Sequence, residues 1–150
     1  MIHDGDPYVL EYNVRFGDPE AQVVLPICNV DWGELFLSCC RGTLDELDEI
    51  TVNGSAVGVV MASGGYPDKY ETGYPIDGLD SLKGKGDVIV FHSGTKKEEG
   101  KFLTKGGRVL TVVGLANDLK SAREKAYHAV SAIHFKDAHY RRDIAWQAFV

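Results

Sequence analysis

Cysteine, clustered positive charge and long apolar runs are all scarce in this chain of 150 residues. Its three cysteines, Cys28, Cys39 and Cys40, include no Cys-x-x-Cys pair, and an adjacent pair on a helix cannot easily bridge. That argues against a disulfide framework and fits a reducing compartment, with the thiols expected as small core residues. No apolar run reaches the ~20 residues of a membrane-spanning helix. The opening Met1-Ile2-His3-Asp4-Gly5-Asp6-Pro7 does not read as a signal peptide, so a cytoplasmic location is expected. Lys and Arg number 16 against 22 Asp and Glu, a net charge of -6. The only basic runs, Lys96-Lys97 and Arg141-Arg142, are too short for a phosphate footprint. A nucleic-acid or anionic-membrane partner is therefore excluded from the expectation, and Lys96-Lys97 reads as solvated surface.

What the chain does have is a hydrophobic content of 44%, enough for a real core, and one unusually informative stretch. From Leu10 to Phe16 apolar and polar residues alternate strictly. Leu10, Tyr12, Val14 and Phe16 would share one face of a strand, expected in the core; Glu11, Asn13 and Arg15 would share the other. Glu11 and Asn13 would then stand about 6.6 Å apart along the backbone, pointing the same way and able to lean toward one hard cation. Arg15 lies one step further on, suited to a phosphate or carboxylate. After Gly17, Asp18-Pro19-Glu20 reads as a helix start, with Asp18 at the N-cap and Pro19 in the first turn. A helix N-terminus beside a polar strand face suits an anion. An ordinary edge strand with a solvated face and a capped helix accounts for the spacing equally well.

Elsewhere the pattern gives a coarse fold. Met1-Ile2 and Tyr8 to Phe16 would form a hairpin whose remaining partners are absent, leaving an exposed edge. Asp31 and Glu34 make a capping-box-like start for a helix in which Trp32, Leu35, Phe36, Cys39 and Cys40 form the core stripe, with Gly42 as its stop. Ala56 to Ala62 is a continuous apolar run, expected as a strand buried on both faces. Val88 to His92, Lys101 to Thr104 and Arg108 to Val113 read as further strands, with Glu98-Glu99-Gly100 and Lys105-Gly106-Gly107 as hairpin connections. Asn117-Asp118 caps a long helix carrying Leu119, Ala122, Ala126, Val130 and Ile133 on one stripe. A boundary is expected at Gly42 to Gly54, giving one unit over 1–48 and an antiparallel unit closed by a helix over 49–150.

Other candidate chemistry is weaker. Gly64-Gly65 and Gly106-Gly107 lack the strand-to-helix setting of a phosphate loop and read as hairpin turns. His92 and Ser93 are strand neighbours pointing to opposite faces, so they cannot form a dyad; a histidine bonding a loop is expected. His128, His134 and His139 are spaced by six and five residues, which places no ligand set on one helical face. Tyr140-Arg141-Arg142-Asp143 is expected to anchor the C-terminal stretch by salt bridges.

The sequence Glu11-Tyr12-Asn13-Val14-Arg15-Phe16-Gly17-Asp18-Pro19-Glu20 resembles the signature of the phosphoribosylamine–glycine ligases, which are ATP-grasp enzymes of purine synthesis. The likeness continues, in the same order, through Leu25-Pro26, Met61 to Pro67, Phe91 to Thr95, Gly106 to Leu110 and Tyr140 to Ile144. These segments belong to the C-terminal third of that family; its earlier nucleotide-binding regions have no counterpart here. The resemblance implies an α+β fold: the C-terminal end of an ATP-grasp domain, then a small antiparallel barrel- or sandwich-like domain closed by a helix. It implies ATP-dependent joining of glycine to 5-phosphoribosylamine, with glycine first activated as an acyl phosphate. Glu11 and Asn13 match the family's ligands for Mg²⁺ (or Mn²⁺), and Arg15 and Asp18 are expected at phosphate and substrate. Alone, the chain is expected to be inactive, its partner being the missing N-terminal regions of the same enzyme. An excised piece, a truncated gene product and a partial sequence all fit, as does fusion to later purine enzymes. The alternative is a free-standing non-catalytic module assisting a separate ATP-grasp chain, which the reading frame upstream of Met1 would distinguish.

Overall fold

A computed structural model describes residues 1–150. In chain order the elements are β1 (Ile2–His3), β2 (Asp6–Pro7), α1 (Glu20–Val24), β3 (Cys28–Asn29), α2 (Trp32–Arg41), β4 (Thr51–Val52), β5 (Ser55–Ala62), β6 (Val88–His92), β7 (Thr95–Glu98), β8 (Lys101–Thr104), β9 (Arg108–Ala116) and α3 (Leu119–Ala132). No helix is long and apolar enough to cross a membrane.

The last strand in sequence is the middle one in space. β9 pairs antiparallel with β5 on one side and β6 on the other, so that Val112 lies opposite both Val59 and Val90. Being central, β9 is buried on both faces: Val109, Leu110, Thr111, Val112 and Val113 are all nearly inaccessible. The expectation of burial on both faces, made for 56–62, applies instead to residues 109–114 of β9. On β5 Val57, Val59, Met61 and Ala62 are buried, while Gly58 and Val60 are half-buried, Gly58 beneath Val23 of α1.

α3 seals the opposite face. Asp118 caps it, accepting from the Ser121 N–H at 2.9 Å. Ala122, Ala126, Ala129, Val130 and Ile133 then pack on Val57, Val59, Met61, Leu110 and Val112. Small residues on the helix bring it close to the sheet, and Gly114 completes the fit: a Cβ there would lie 2.5 Å from Ala126 N. Beyond α3 the chain folds back and is tied down by it. Arg123 Nε donates to Ile144 O at 2.8 Å and Tyr127 Oη donates to Arg141 O at 2.9 Å. Arg141 and Asp143 pair through two hydrogen bonds.

Several expectations require correction. The barrel or sandwich does not close: β5 and β6 are both edges of a three-stranded sheet, and β7–β8 is a separate hairpin. Three strands are too few to close on themselves, and α3 covers the core instead. Lys96-Lys97 is not merely solvated surface but part of strand β7, turned into β8 by Glu99 and Gly100, both at positive φ. Residues 105–107 link β8 to β9 rather than forming a hairpin, because β8 pairs with β7. Residues 8–16 form no strand, only β1 and β2 pairing over two residues each. Leu10, Tyr12 and Val14 are therefore largely exposed, not core. Alternation orders a strand only when a neighbour takes its backbone N–H and C=O groups, and none is present. In α2, Asp31 caps as expected, accepting from Glu34 N at 3.0 Å, and Gly42 ends the helix in the left-handed region. Its apolar stripe is half open, however. Phe36, Cys39 and Cys40 are exposed and Cys28 is only half-buried, so none of the thiols is a core residue.

Candidate functional site

Antiparallel pairing decides which loops meet. β5 ends where β9 begins, with Ala62 opposite Arg108, and β6 ends with His92 opposite Leu110. The loops 63–67, 93–95 and 105–107 are thereby gathered at one end of the sheet. They are held by direct backbone contacts. Ser63 N and Oγ donate to Gly107 O and Gly106 O, each at 2.8 Å. Gly94 N donates to Arg108 O at 2.8 Å, and Lys105 N to Gly94 O at 2.7 Å. A Cβ on Gly94 would sit 2.6 Å from Gly106 Cα, and one on Gly107 would run into the Tyr66 ring. These glycines are neither hairpin turns nor phosphate loops; they let distant segments touch.

Asp18 reaches this end of the sheet. Its Oδ2 lies 3.1 Å from Arg108 Nη2, and its backbone carbonyl accepts from Arg108 Nη1 at 3.0 Å. Its Oδ1 accepts from Gln22 Nε2 at 2.9 Å. With both oxygens engaged, Asp18 does not cap α1; Pro19 precedes that helix and no side chain caps it. The carboxylate also sets the orientation of the Gln22 amide, whose Oε1 is buried without a protein partner.

Glu11 and Asn13 are brought together. Asn13 Nδ2 donates to Glu11 Oε1 at 2.9 Å, so the two point the same way, as their spacing predicts. Both are exposed, as is Arg15, whose Nη1 donates to Phe16 O at 3.0 Å. Turning the Asn13 amide over would present its oxygen beside the Glu11 carboxylate, two hard donors converging from one side. No third histidine, cysteine, aspartate or glutamate joins them, and no such cluster exists elsewhere in the chain. Two oxygen donors are fewer than a hard divalent cation takes, so further ligands would have to come from other groups.

Two other polar groups are accounted for. His92 Nδ1 lies 3.0 Å from Thr95 Oγ1 and its ring packs on Phe102, with centroids 4.4 Å apart. Partial burial pushes its pKa down, so it stays neutral near pH 7 and serves the loop. On the surface, Lys136 Nζ donates to Tyr74 Oη at 2.8 Å, and Tyr74 in turn bonds Glu71. The Tyr74 hydroxyl, then Lys136, hold the Glu71 carboxyl below its ordinary range. All three are satisfied by one another.

Sequence reasoning missed Arg108 and the convergence of the glycine loops. Their signal was the glycine pairs themselves, which mark close backbone approach as readily as turns.

The family model for the phosphoribosylglycinamide synthetase C domain matches residues 56–147. The bifunctional purine biosynthetic protein of Pichia angusta is 46% identical over 147 residues, 97% of this chain and 18% of that protein. The phosphoribosylamine–glycine ligase of Chlorobaculum tepidum is 45% identical over 148 residues, 99% of this chain and 35% of that protein. The crystal structure of the Thermotoga maritima phosphoribosylamine–glycine ligase superposes with a TM-score of 0.75 at 39% identity, covering 97% of this chain and 35% of that one. The chain thus spans about a third or less of the length of these relatives. Sequence and fold agree over nearly its whole length, and the chain belongs to the phosphoribosylglycinamide synthetase family, whose C-terminal part it matches.

Proposed function

We propose that this chain is the C-terminal portion of an ATP-dependent phosphoribosylamine–glycine ligase, contributing to the joining of glycine to 5-phosphoribosylamine in purine biosynthesis. Residues 1–48 are the end of its ATP-grasp domain and 49–150 its C-terminal domain. The observation that carries this reading is the pairing of Glu11 with Asn13 on one exposed face, inside a chain matched end to end by relatives bearing that name. Glu11 and Asn13 would hold Mg²⁺ (or Mn²⁺), which when bound would supply positive charge to offset that of phosphate groups. The adjacent Arg15 guanidinium, free to swing from Phe16 O, offers paired N–H donors to a phosphate. Asp18, oriented by Arg108 and Gln22, presents its remaining lone pairs to a donor group on substrate.

The exposed Tyr8, Leu10, Tyr12 and Val14 lie on the segment against which the rest of the ligase would rest. The chain by itself supplies two metal ligands and neither an adenine pocket nor a phosphate-covering loop, so it makes no product alone.

The test is Glu11→Gln in the full-length enzyme, followed by ADP release with glycine and phosphoribosylamine. The change keeps side-chain shape and removes one charge from the metal face, so turnover falls about a hundredfold or more, as when a group stabilising transition-state charge is lost. Near-normal turnover at ordinary Mg²⁺ overturns the metal assignment.

A further inference from the structure

Arg108 has no part in the assignments above except through Asp18, and that link is the most far-reaching polar contact in the chain. It crosses 90 residues of sequence. The grip has two points, the Asp18 carboxylate and the Asp18 backbone carbonyl, so it fixes both where the backbone runs and how the carboxylate is turned. A planar guanidinium presents two separate nitrogens in a fixed fork for this, where an ammonium offers one point charge on a flexible stem. Arg108 is itself held fast. It is the first residue of the central strand, its backbone pairs with Ala62, and its carbonyl accepts from Gly94 N at 2.8 Å. A Cβ on Gly94 would come 2.6 Å from that carbonyl, so the glycine makes room for the approach. On the far side Gln22 fixes the other carboxylate oxygen.

Stability alone does not explain so specific an arrangement. The pair is half exposed, at 42% and 50% for the two side chains, and ion pairs of that kind add little to folding. What the contact does supply is position, tying the segment that carries Glu11, Asn13 and Arg15 to the rigid end of the sheet where three loops converge. Asp18 follows Arg15 by three residues, so its placement sets how that segment enters α1.

We propose that Arg108 is a positioning residue for the ligase reaction: it holds the Asp18 carboxylate at the orientation in which that group meets an amine or hydroxyl donor of substrate. The inference rests on the proposed function. It adds that the sheet end formed by β5, β6 and β9 is part of the machinery that sets substrate geometry, not a passive support.

The experiment is a double-mutant cycle in the full-length enzyme. Arg108→Gln, Arg108→Lys, Asp18→Asn and the Arg108→Gln/Asp18→Asn double variant are compared for kcat, KM for glycine, and melting temperature. Arg108→Gln lowers kcat/KM about ten- to hundredfold, the loss typical of a displaced reactive group, with little change in melting temperature. Arg108→Lys falls between Gln and wild type. In the Asp18→Asn background, adding Arg108→Gln costs less than about threefold, because the group through which Arg108 acts has already been altered. Fully additive losses overturn the proposal, as does a loss that tracks melting temperature with Lys no better than Gln. If Arg108→Gln does not fold, Arg108→Lys replaces it in the same cycle, and additivity with Asp18→Asn is the criterion. Glu11→Gln run alongside separates the two readings. Normal turnover there, with Arg108 and Asp18 still coupled in kcat/KM, removes the metal assignment and leaves the positioning role standing. The reverse pattern removes the positioning role alone.

Discussion

Placing a methyl group at Gly114 tests the packing that holds the sheet and α3 together. The Cβ of Gly114→Ala would lie 2.5 Å from Ala126 N and 3.1 Å from Ala126 Cα, and closer still to the Ala122 carbonyl oxygen. Ordinary carbon contacts are about 3.5–4.0 Å, so the helix must retreat by roughly 1 Å. The atoms struck are backbone atoms of α3, which cannot swing aside as a side-chain tip can. Gly114 has no left-handed φ, so the penalty is steric rather than conformational. A retreat of that size loosens Ala122, Ala126 and Ala129 together, all of them essentially inaccessible in the structure. A gap of 0.5–1 Å forfeits about a quarter to a half of each dispersion contact along the seam. The destabilisation should fall near the top of the overpacking range, about 3 kcal/mol. For a chain of this size that is a drop in melting temperature of roughly 6–12 °C. Thermal unfolding followed by circular dichroism measures it, with Gly86→Ala as control. A Cβ on Gly86 meets nothing within 4 Å and its φ is not left-handed, so that variant should melt at or slightly above the parent. A Gly114→Ala protein that melts within a degree of the parent would refute the close approach of α3 to β9.

Two further outcomes follow from exposure and charge. Tyr12 is 84% exposed in this chain, so Tyr12→Ala should change its stability by no more than about 0.5 kcal/mol. The same substitution in the full-length ligase should cost about 3–5 kcal/mol, as for loss of a buried aromatic ring; equal effects in both would sink the docking of this face. Asp118 is held below its ordinary pKa by the Ser121 N–H and then the Ser121 hydroxyl. Its folded pKa is therefore lower than its unfolded one, and the stability it contributes is complete above the ordinary aspartate value of about 3.9 and lost as pH falls through the folded value. Melting temperature recorded from neutral pH into acid should fall less steeply for Asp118→Asn than for the parent, and identical acid slopes would remove the charge from the cap's role.

Where local pattern and tertiary partner coincide, the sequence was a sufficient guide. Asp31 and Asp118 cap the helices predicted from them, Gly42 ends α2, and the stripe from Ala122 to Ile133 faces the core. Val88 to His92 and Arg108 to Val113 form strands because their β-branched residues meet one another across the ladder. Alternation from Leu10 to Phe16 brought Glu11 and Asn13 together as expected but made no strand, since pairing is a property of two segments and residues 8–16 meet no second one. β7 was illegible because its Lys96-Lys97 core of charge looks like surface, and its order comes from the turn at Glu99-Gly100 and its pairing with β8. The grouping of the candidate residues was half legible for a similar reason. Glu11, Asn13 and Asp18 lie within eight residues of each other, whereas Arg108 joins them only through a fold that no local window contains.

The position of β9 carries a further consequence for how the molecule is made. Its neighbours β5 and β6 touch no strand of each other's, so each must wait for a partner synthesised later; Ser55 pairs with Ala116 and Val88 with Gly114. A nascent chain that has emerged only as far as residue 107 therefore carries two apolar strands with bare edges and nothing to close them. Such intermediates are open to mispairing with other chains, and long-range closure of this kind is slow. Arrival of β9 resolves both edges in one event. Because α3 follows after only Asn117 and Asp118, the lock is delivered almost as soon as the sheet exists.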